Sequence, residues 1–211
     1  MFPAIAMQNN NSVSELQAQV FIAAAKDAVE RARKLIDHEV DVNFTAEKGR
    51  TALLVATHHN SINAARVLIE AGADVNATDK IGDSPYLYAG AEGRLEILRM
   101  TLEHGADLAS VNRYGGTALI PAAHHGHVET VRELLTTEID INHVNNFGWT
   151  ALMEAIILGD GNDTYIQIVK LLVNAGADAN IPDNNGVTPL AHAIDREFVD
   201  IIEILRRAGA K

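Results

Sequence analysis

Five near-copies of one segment recur along this chain: GRTALLVATHHN, GDSPYLYAGAEG, GGTALIPAAHHG, GWTALMEAIILG and GVTPLAHAIDRE. Their hydroxyl residues are Thr51, Ser84, Thr117, Thr150 and Thr188, at intervals of 33, 33, 33 and 38 residues. A second marker, the end of DVN, DVN, DLA, DIN and DAN, falls at Asn43, Asn76, Ala109, Asn142 and Asn180 with the same intervals. Units this short cannot bury an apolar face alone, so they must stack on one another.

Each unit reads as two helices. Thr or Ser before Ala or Pro is an N-cap followed by a good first-turn residue. An alanine stands five residues after each cap: Ala56, Ala89, Ala122, Ala155 and Ala193. The second helix carries apolar residues at helical spacing, as in Val128, Val131, Leu134 and Leu135. It ends where Gly72, Gly105 or Gly176 supplies a left-handed C-cap, and a turn-rich link follows. In the long unit Gly159 keeps the place of Gly93 and Gly126, so the five surplus residues fall within Asp160–Tyr165. A solvated loop is expected there, with Tyr165 either in the groove or over the second helix. Its DGND echoes a calcium loop but lacks the alternating ligands and distal Glu.

These motifs resemble the ankyrin repeat, G-x-T-P-L-H-x-A-A-x-x-G-H followed by a second helix and G-A-D-V-N. The chain is similar in particular to stand-alone bacterial ankyrin repeat proteins. The resemblance implies an all-α fold, an ankyrin-type α-solenoid of six helix-turn-helix repeats with β-turn or hairpin links. The divisions are a disordered segment 1–13, a capping repeat of about 14–46, repeats of about 47–79, 80–112, 113–145 and 146–183, and a C-terminal capping repeat 184–211. Ser14 and Gln17 would form a capping box at the start. Ile36, Ile69, Leu102, Leu135 and Val173 share one register that Arg206 takes in the last unit, as expected where no further unit covers it. The family's His after T-P-L is replaced by Leu54, Leu87, Ile120, Met153 and Ala191, so apolar packing with some loosening should stand in.

A net charge of −11 leaves no basic footprint for nucleic acid and repels an anionic membrane surface. With no cysteine, disulfides and thiolate chemistry are excluded. No secretory h-region or membrane-length apolar run is visible, so a cytoplasmic location is expected. No nucleophile, metalloprotease or phosphate-loop motif occurs, so the chain reads as no enzyme and needs no cofactor.

Function should therefore lie in recognition of an unidentified protein by a monomer, with no nucleic acid or membrane as partner. The resemblance implies that repeats vary on the concave face, at the seventh and eighth residues after the Thr and just before it. Apolar and aromatic residues concentrate there in units three to five, and large aromatics anchor interfaces. The candidate partner-binding residues are Tyr88, Glu92, Tyr114, His124, His125, Phe147, Trp149, Ile157 and Leu158. The alternative is a metal or small-molecule site on His124, His125 and Glu154. His127 stands at the family's G-H position, where its ring satisfies backbone groups. Five histidines near the groove would make binding pH-sensitive.

Overall fold

The computed structural model describes residues 13–38 and 40–211. Among them are twelve α-helices and no strand. They are α1 (Val13–Ala25), α2 (Val29–Ile36), α3 (Ala52–His58), α4 (Ile62–Glu70), α5 (Pro85–Ala91), α6 (Leu95–Glu103), α7 (Leu119–His124), α8 (Val128–Leu134), α9 (Ala151–Ile157), α10 (Asp163–Asn174), α11 (Pro189–Asp195) and α12 (Val199–Arg207). Consecutive helices pair, and each pair packs on the next, first helix against first and second against second. The alanine register lies where the first helices meet: Ala23, Ala56, Ala89, Ala122, Ala155 and Ala193 are all fully buried. A larger side chain there would push the stack apart, since interiors are close-packed.

The caps form as the sequence implies, except one. Thr51, Ser84, Thr150 and Thr188 accept the N–H three residues on at 3.1–3.3 Å. Thr117 does not; its buried hydroxyl has no partner, and α7 starts one residue late. The cause is Pro121. In α3, α5, α9 and α11 the residue four beyond the cap donates its N–H to the cap carbonyl. Proline has no N–H to give. Ile120 donates to the Thr117 carbonyl instead, at 3.2 Å, and is lost to the hydroxyl.

The N-terminal capping box does not form. Val13, assigned to the unstructured segment, is already in α1, so Ser14 lies inside the helix rather than at its cap. Residues 1–12 of that segment lie outside the described residues. Gln17 is buried, and its amide matches the N–H and C=O of Asp41, both at 3.2 Å. Leu54, Leu87, Ile120 and Met153, in the family's His position, are buried, so apolar packing does replace the ring. In the Arg206 register Arg206 is exposed, Ile69 is buried and the other aliphatics are half-buried.

Three ladders join neighbouring pairs. Asparagines of the D-x-N motif reach across: Asn76 donates to the Gly105 carbonyl and accepts from the Asp107 N–H, both at 2.9 Å. Asn43 and Asn180 make both matching bonds, and Asn142 makes the accepting one, from the Asp178 N–H. Ala109 cannot, so the rung between the α5/α6 and α7/α8 pairs is absent. Backbone bonds also join turn tips, from the Lys80 N–H to the Lys48 carbonyl and from the Asn146 N–H to the Tyr114 carbonyl. No such bond joins the tip before α5 to the tip before α7, or the tip before α9 to the tip before α11, among the described residues.

The third ladder covers the ends of the first helices, whose last carbonyls have no intrahelical partner. Side chains of the following unit supply one: Ser61 to Ala25, His125 to Ala91, Tyr165 to His124, and Arg196 to Ile157 and Gly159. Tyr165 stands 15 residues after Thr150, as His127 stands ten after Thr117, so the five-residue surplus puts Tyr165 in the histidine's register. Its ring packs on Gly159, and its hydroxyl donates to His124 O at 2.8 Å. Of the loop expected at 160–165, Asp163, Thr164 and Tyr165 thus belong to α10, while Asp160, Gly161 and Asn162 stay outside it. Asn162 caps α10 by accepting from Thr164 and Tyr165, and the extra turn brings α10 to 12 residues.

Candidate functional site

The turn tips are built by one side chain each. Asn112 Oδ1 accepts the N–H groups of Tyr114 and Gly116, and Asn145 Oδ1 those of Phe147 and Trp149. Asp79 and Asp183 do the same at their own tips. Held this way, the tips before α7 and α9 project their aromatic residues side by side. Tyr114 and Phe147 have ring centroids 5.9 Å apart, Phe147 and Trp149 5.5 Å. Tyr114 and Phe147 are each about half exposed, and Trp149 is half-buried.

Below this row lies a cleft of about 500 Å³, between α5, α7, α9 and the tips that precede them. Eight of the nine candidate residues line it: Tyr88, Glu92, Tyr114, His124, His125, Phe147, Trp149 and Leu158. Ile157 does not; its carbonyl instead receives Arg196 Nη1 at 2.6 Å. Phe147 is the central ring of the row rather than a tip residue packed out of reach. Tyr88 packs against His58, with ring centroids 3.8 Å apart and the planes tilted by 43°.

Glu154 forms part of the cleft floor. Its side chain is only 9 % exposed, and Oε1 accepts from Asn145 Nδ2 at 2.8 Å. Burial raises its pKa from 4.5 to about 6, against the Asn145 hydrogen bond and the nearby His125. Oε2 lies 3.6 Å from His124 Nδ1. That contact is not an ion pair at neutral pH, because burial and the adjacent His125 hold the His124 pKa below the usual value. His58 and His127 are likewise lowered, chiefly by burial. In the next unit the positions of Asn145 and Glu154 hold Asp183 and His192, 3.0 Å apart. Hydrogen bonds, first from the Val187 N–H, hold the Asp183 carboxyl below its ordinary value.

The three groups of the metal alternative do not converge. His125 turns Nδ1 to the Ala91 carbonyl at 2.6 Å, which places its proton there. Among the described residues no group of three or more His, Asp or Glu is arranged to hold a metal ion.

Sequence reasoning missed Asn112, Asn145, Asp83 and Arg113, all of which line the cleft. The signal was available. Asp79, Asn112 and Asn145 are spaced at 33 residues and Asp183 follows at 38, the period of the caps.

Comparison with known proteins agrees with this geometry. The family model for ankyrin repeats matches in three copies, over residues 5–79, 86–180 and 143–211. A crystal structure of an ankyrin repeat domain from Acinetobacter baumannii AYE is 58 % identical, with a TM-score of 0.90 over 92 % of this chain and 98 % of that one. The ankyrin repeat protein EF0377 is 43 % identical, with a TM-score of 0.87 over 90 % of this chain and 98 % of its own. The curated ankyrin repeat protein YahD of Escherichia coli (strain K12) is 43 % identical over 58 residues, 28 % of this chain. The match spans 29 % of that relative's length. Among the described residues no helix is long and apolar enough to cross a membrane. A repeating cap, a shared alanine register, linked turns and these matches lead to one conclusion: the chain belongs to the ankyrin repeat family.

Proposed function

We propose that this chain is a non-enzymatic scaffold or adaptor that acts in the cytoplasm as a monomer. In this reading it has six repeats divided as the sequence implies, and it binds a partner protein across repeats three to five. One observation carries the reading: Tyr114, Phe147 and Trp149 form a continuous row of rings on two adjacent tips, above an open cleft. Tyr and Trp are enriched among residues that dominate binding energy. Contiguous apolar surface held in the open is a mark of recognition rather than of packing. Ankyrin repeats serve protein–protein interaction generally, which agrees with the position of the row.

The test is affinity capture from a cell lysate with wild type and with Tyr114→Ala/Trp149→Ala, after circular dichroism has shown the variant folded. A protein retained by wild type and lost by the variant supports the reading. Identical retention by both, or none by either, sinks it.

A further inference from the structure

The cleft floor carries a charge without a counter-charge. Glu154 is more than nine-tenths buried, and Asn145 satisfies only its Oε1. Oε2 faces the cleft with no donor in hydrogen-bond range, since His124 Nδ1 is 3.6 Å away. A buried carboxylate so placed is costly until a cation reaches it.

The cation lining the cleft is already engaged. Arg113 Nη1 lies 3.5 Å from Asp83 Oδ2, and its guanidinium sits 5.1 Å from the centre of the Tyr114 ring. Glu92, also lining the cleft, has no Lys, Arg or His nitrogen within 4.0 Å among the described residues. Setting Arg113 against Asp83 leaves two carboxylates, Glu92 and Glu154, in a lining they share with the Tyr88, Tyr114, Phe147 and Trp149 rings. An anionic occupant would be repelled. An apolar one would bury Glu154 further without satisfying it. A cation is drawn by the carboxylates and by the ring faces alike.

We infer that the cleft receives an arginine side chain from a basic segment of a partner protein, its guanidinium set against the Phe147 and Trp149 rings and paired with Glu154. Arginine fits better than lysine because its planar group stacks on aromatic faces and is more weakly hydrated than an ammonium. The net charge of −11 would speed the approach of such a segment. This rests on the protein-interaction reading above.

Acid should weaken the complex. The bound guanidinium needs Glu154 ionised, and a proton competes for the same oxygen. The groups around Glu154 act in the same direction or are tied up. On α7, His124 gains positive charge as pH falls, and His125 beside it is tied to the Ala91 carbonyl. Asp83 is paired with Arg113, and Glu92 lines the α5 side of the cleft. On α11, His192 is tied to Asp183, and Arg196 to the carbonyls of Ile157 and Gly159.

Trp149 is the only tryptophan in the chain, so its fluorescence reports on the cleft alone. The probes are dodecamer peptides selected from a random displayed library on the wild-type protein, then synthesised and titrated against Trp149 emission. Selected peptides should share an arginine at one position. Replacing it by citrulline, its uncharged isostere, should weaken binding at least tenfold, and so should Glu154→Gln. The two changes together should cost little more than either alone. Binding of the wild type should be several-fold weaker at pH 5 than at pH 7.5.

Peptides that perturb Trp149 but share a lysine, an acidic residue or no charge would overturn the arginine and leave the interaction reading standing. So would equal binding by the citrulline peptide, a comparison made on wild type and independent of how the variant folds. Failure to select any peptide that perturbs Trp149 would overturn both.

Discussion

Removing the Glu154 carboxylate should make the protein more stable. Raising a carboxyl pKa from 4.5 to about 6 means that ionisation costs the folded state about 2 kcal/mol at neutral pH, at ~1.36 kcal/mol per unit of pH. The cleft is open to water, so we set the recoverable part at ~1–2 kcal/mol. For an acid whose pKa is raised by folding, the favourable contribution is complete below about pH 4.5. It is lost as pH rises through about 6. Glutamine at this position keeps the carbonyl that accepts from Asn145 and does not titrate. Glu154→Gln should therefore exceed wild type by ~1–2 kcal/mol at pH 7.5, a rise in Tm of a few degrees. At pH 4.5 the two should agree within ~0.5 kcal/mol. Urea unfolding of both proteins at each pH gives the difference directly, and groups common to both cancel. A variant less stable than wild type at pH 7.5, or a difference that does not change with pH, would refute the assignment of Glu154 as a buried carboxylate without a counter-charge. A group that weakens the fold and is kept at a cleft floor fits a binding role better than a structural one.

The two threonine caps should respond oppositely to the same change. Thr150→Val removes a made hydrogen bond and should cost ~1 kcal/mol in urea unfolding, whereas Thr117→Val replaces an unpartnered buried hydroxyl and should be neutral or stabilising. Tyr165→Phe should lower stability by ~1 kcal/mol through loss of the bond to His124 O, visible as a small drop in Tm; no change would mean the insertion is not anchored there. Asn76→Ala breaks two cross-repeat bonds and should cost ~1–3 kcal/mol, with faster amide exchange at Asp107 as a second readout.

The sequence period located the helices because caps, alanines and D-x-N motifs are local signals that recur at one interval. It failed at Thr117, where the fault lies four residues away in a missing N–H. The insertion was placed correctly along the chain but read as loop. DGND is polar enough to look solvated, and its Asn162 is in fact the cap of a longer α10. Once five residues are subtracted, Tyr165 falls on the His127 register, so its role could have been deduced. The cleft residues were legible as columns of variable residues. The state of Glu154 was not, because its column also holds Val55, Tyr88, Pro121 and His192, and burial there depends on how α7 and α9 meet.

The absent rung at Ala109 and one of the two absent tip bonds fall at the same junction, between α5/α6 and α7/α8. That junction is left to apolar packing, to the bond from His125 to the Ala91 carbonyl, and to the ion pairs of Arg99 with Glu133 at 2.8 Å and Arg113 with Asp83. Exposed ion pairs of this kind contribute little. The cleft straddles this junction, with Tyr88 and Glu92 on one bank and Tyr114, His124 and His125 on the other. An occupant gripping both banks would act as the missing rung. Recognition and the bending elasticity of the superhelix would then be one property: curvature fluctuations that open the cleft in the free protein would be damped when it is filled.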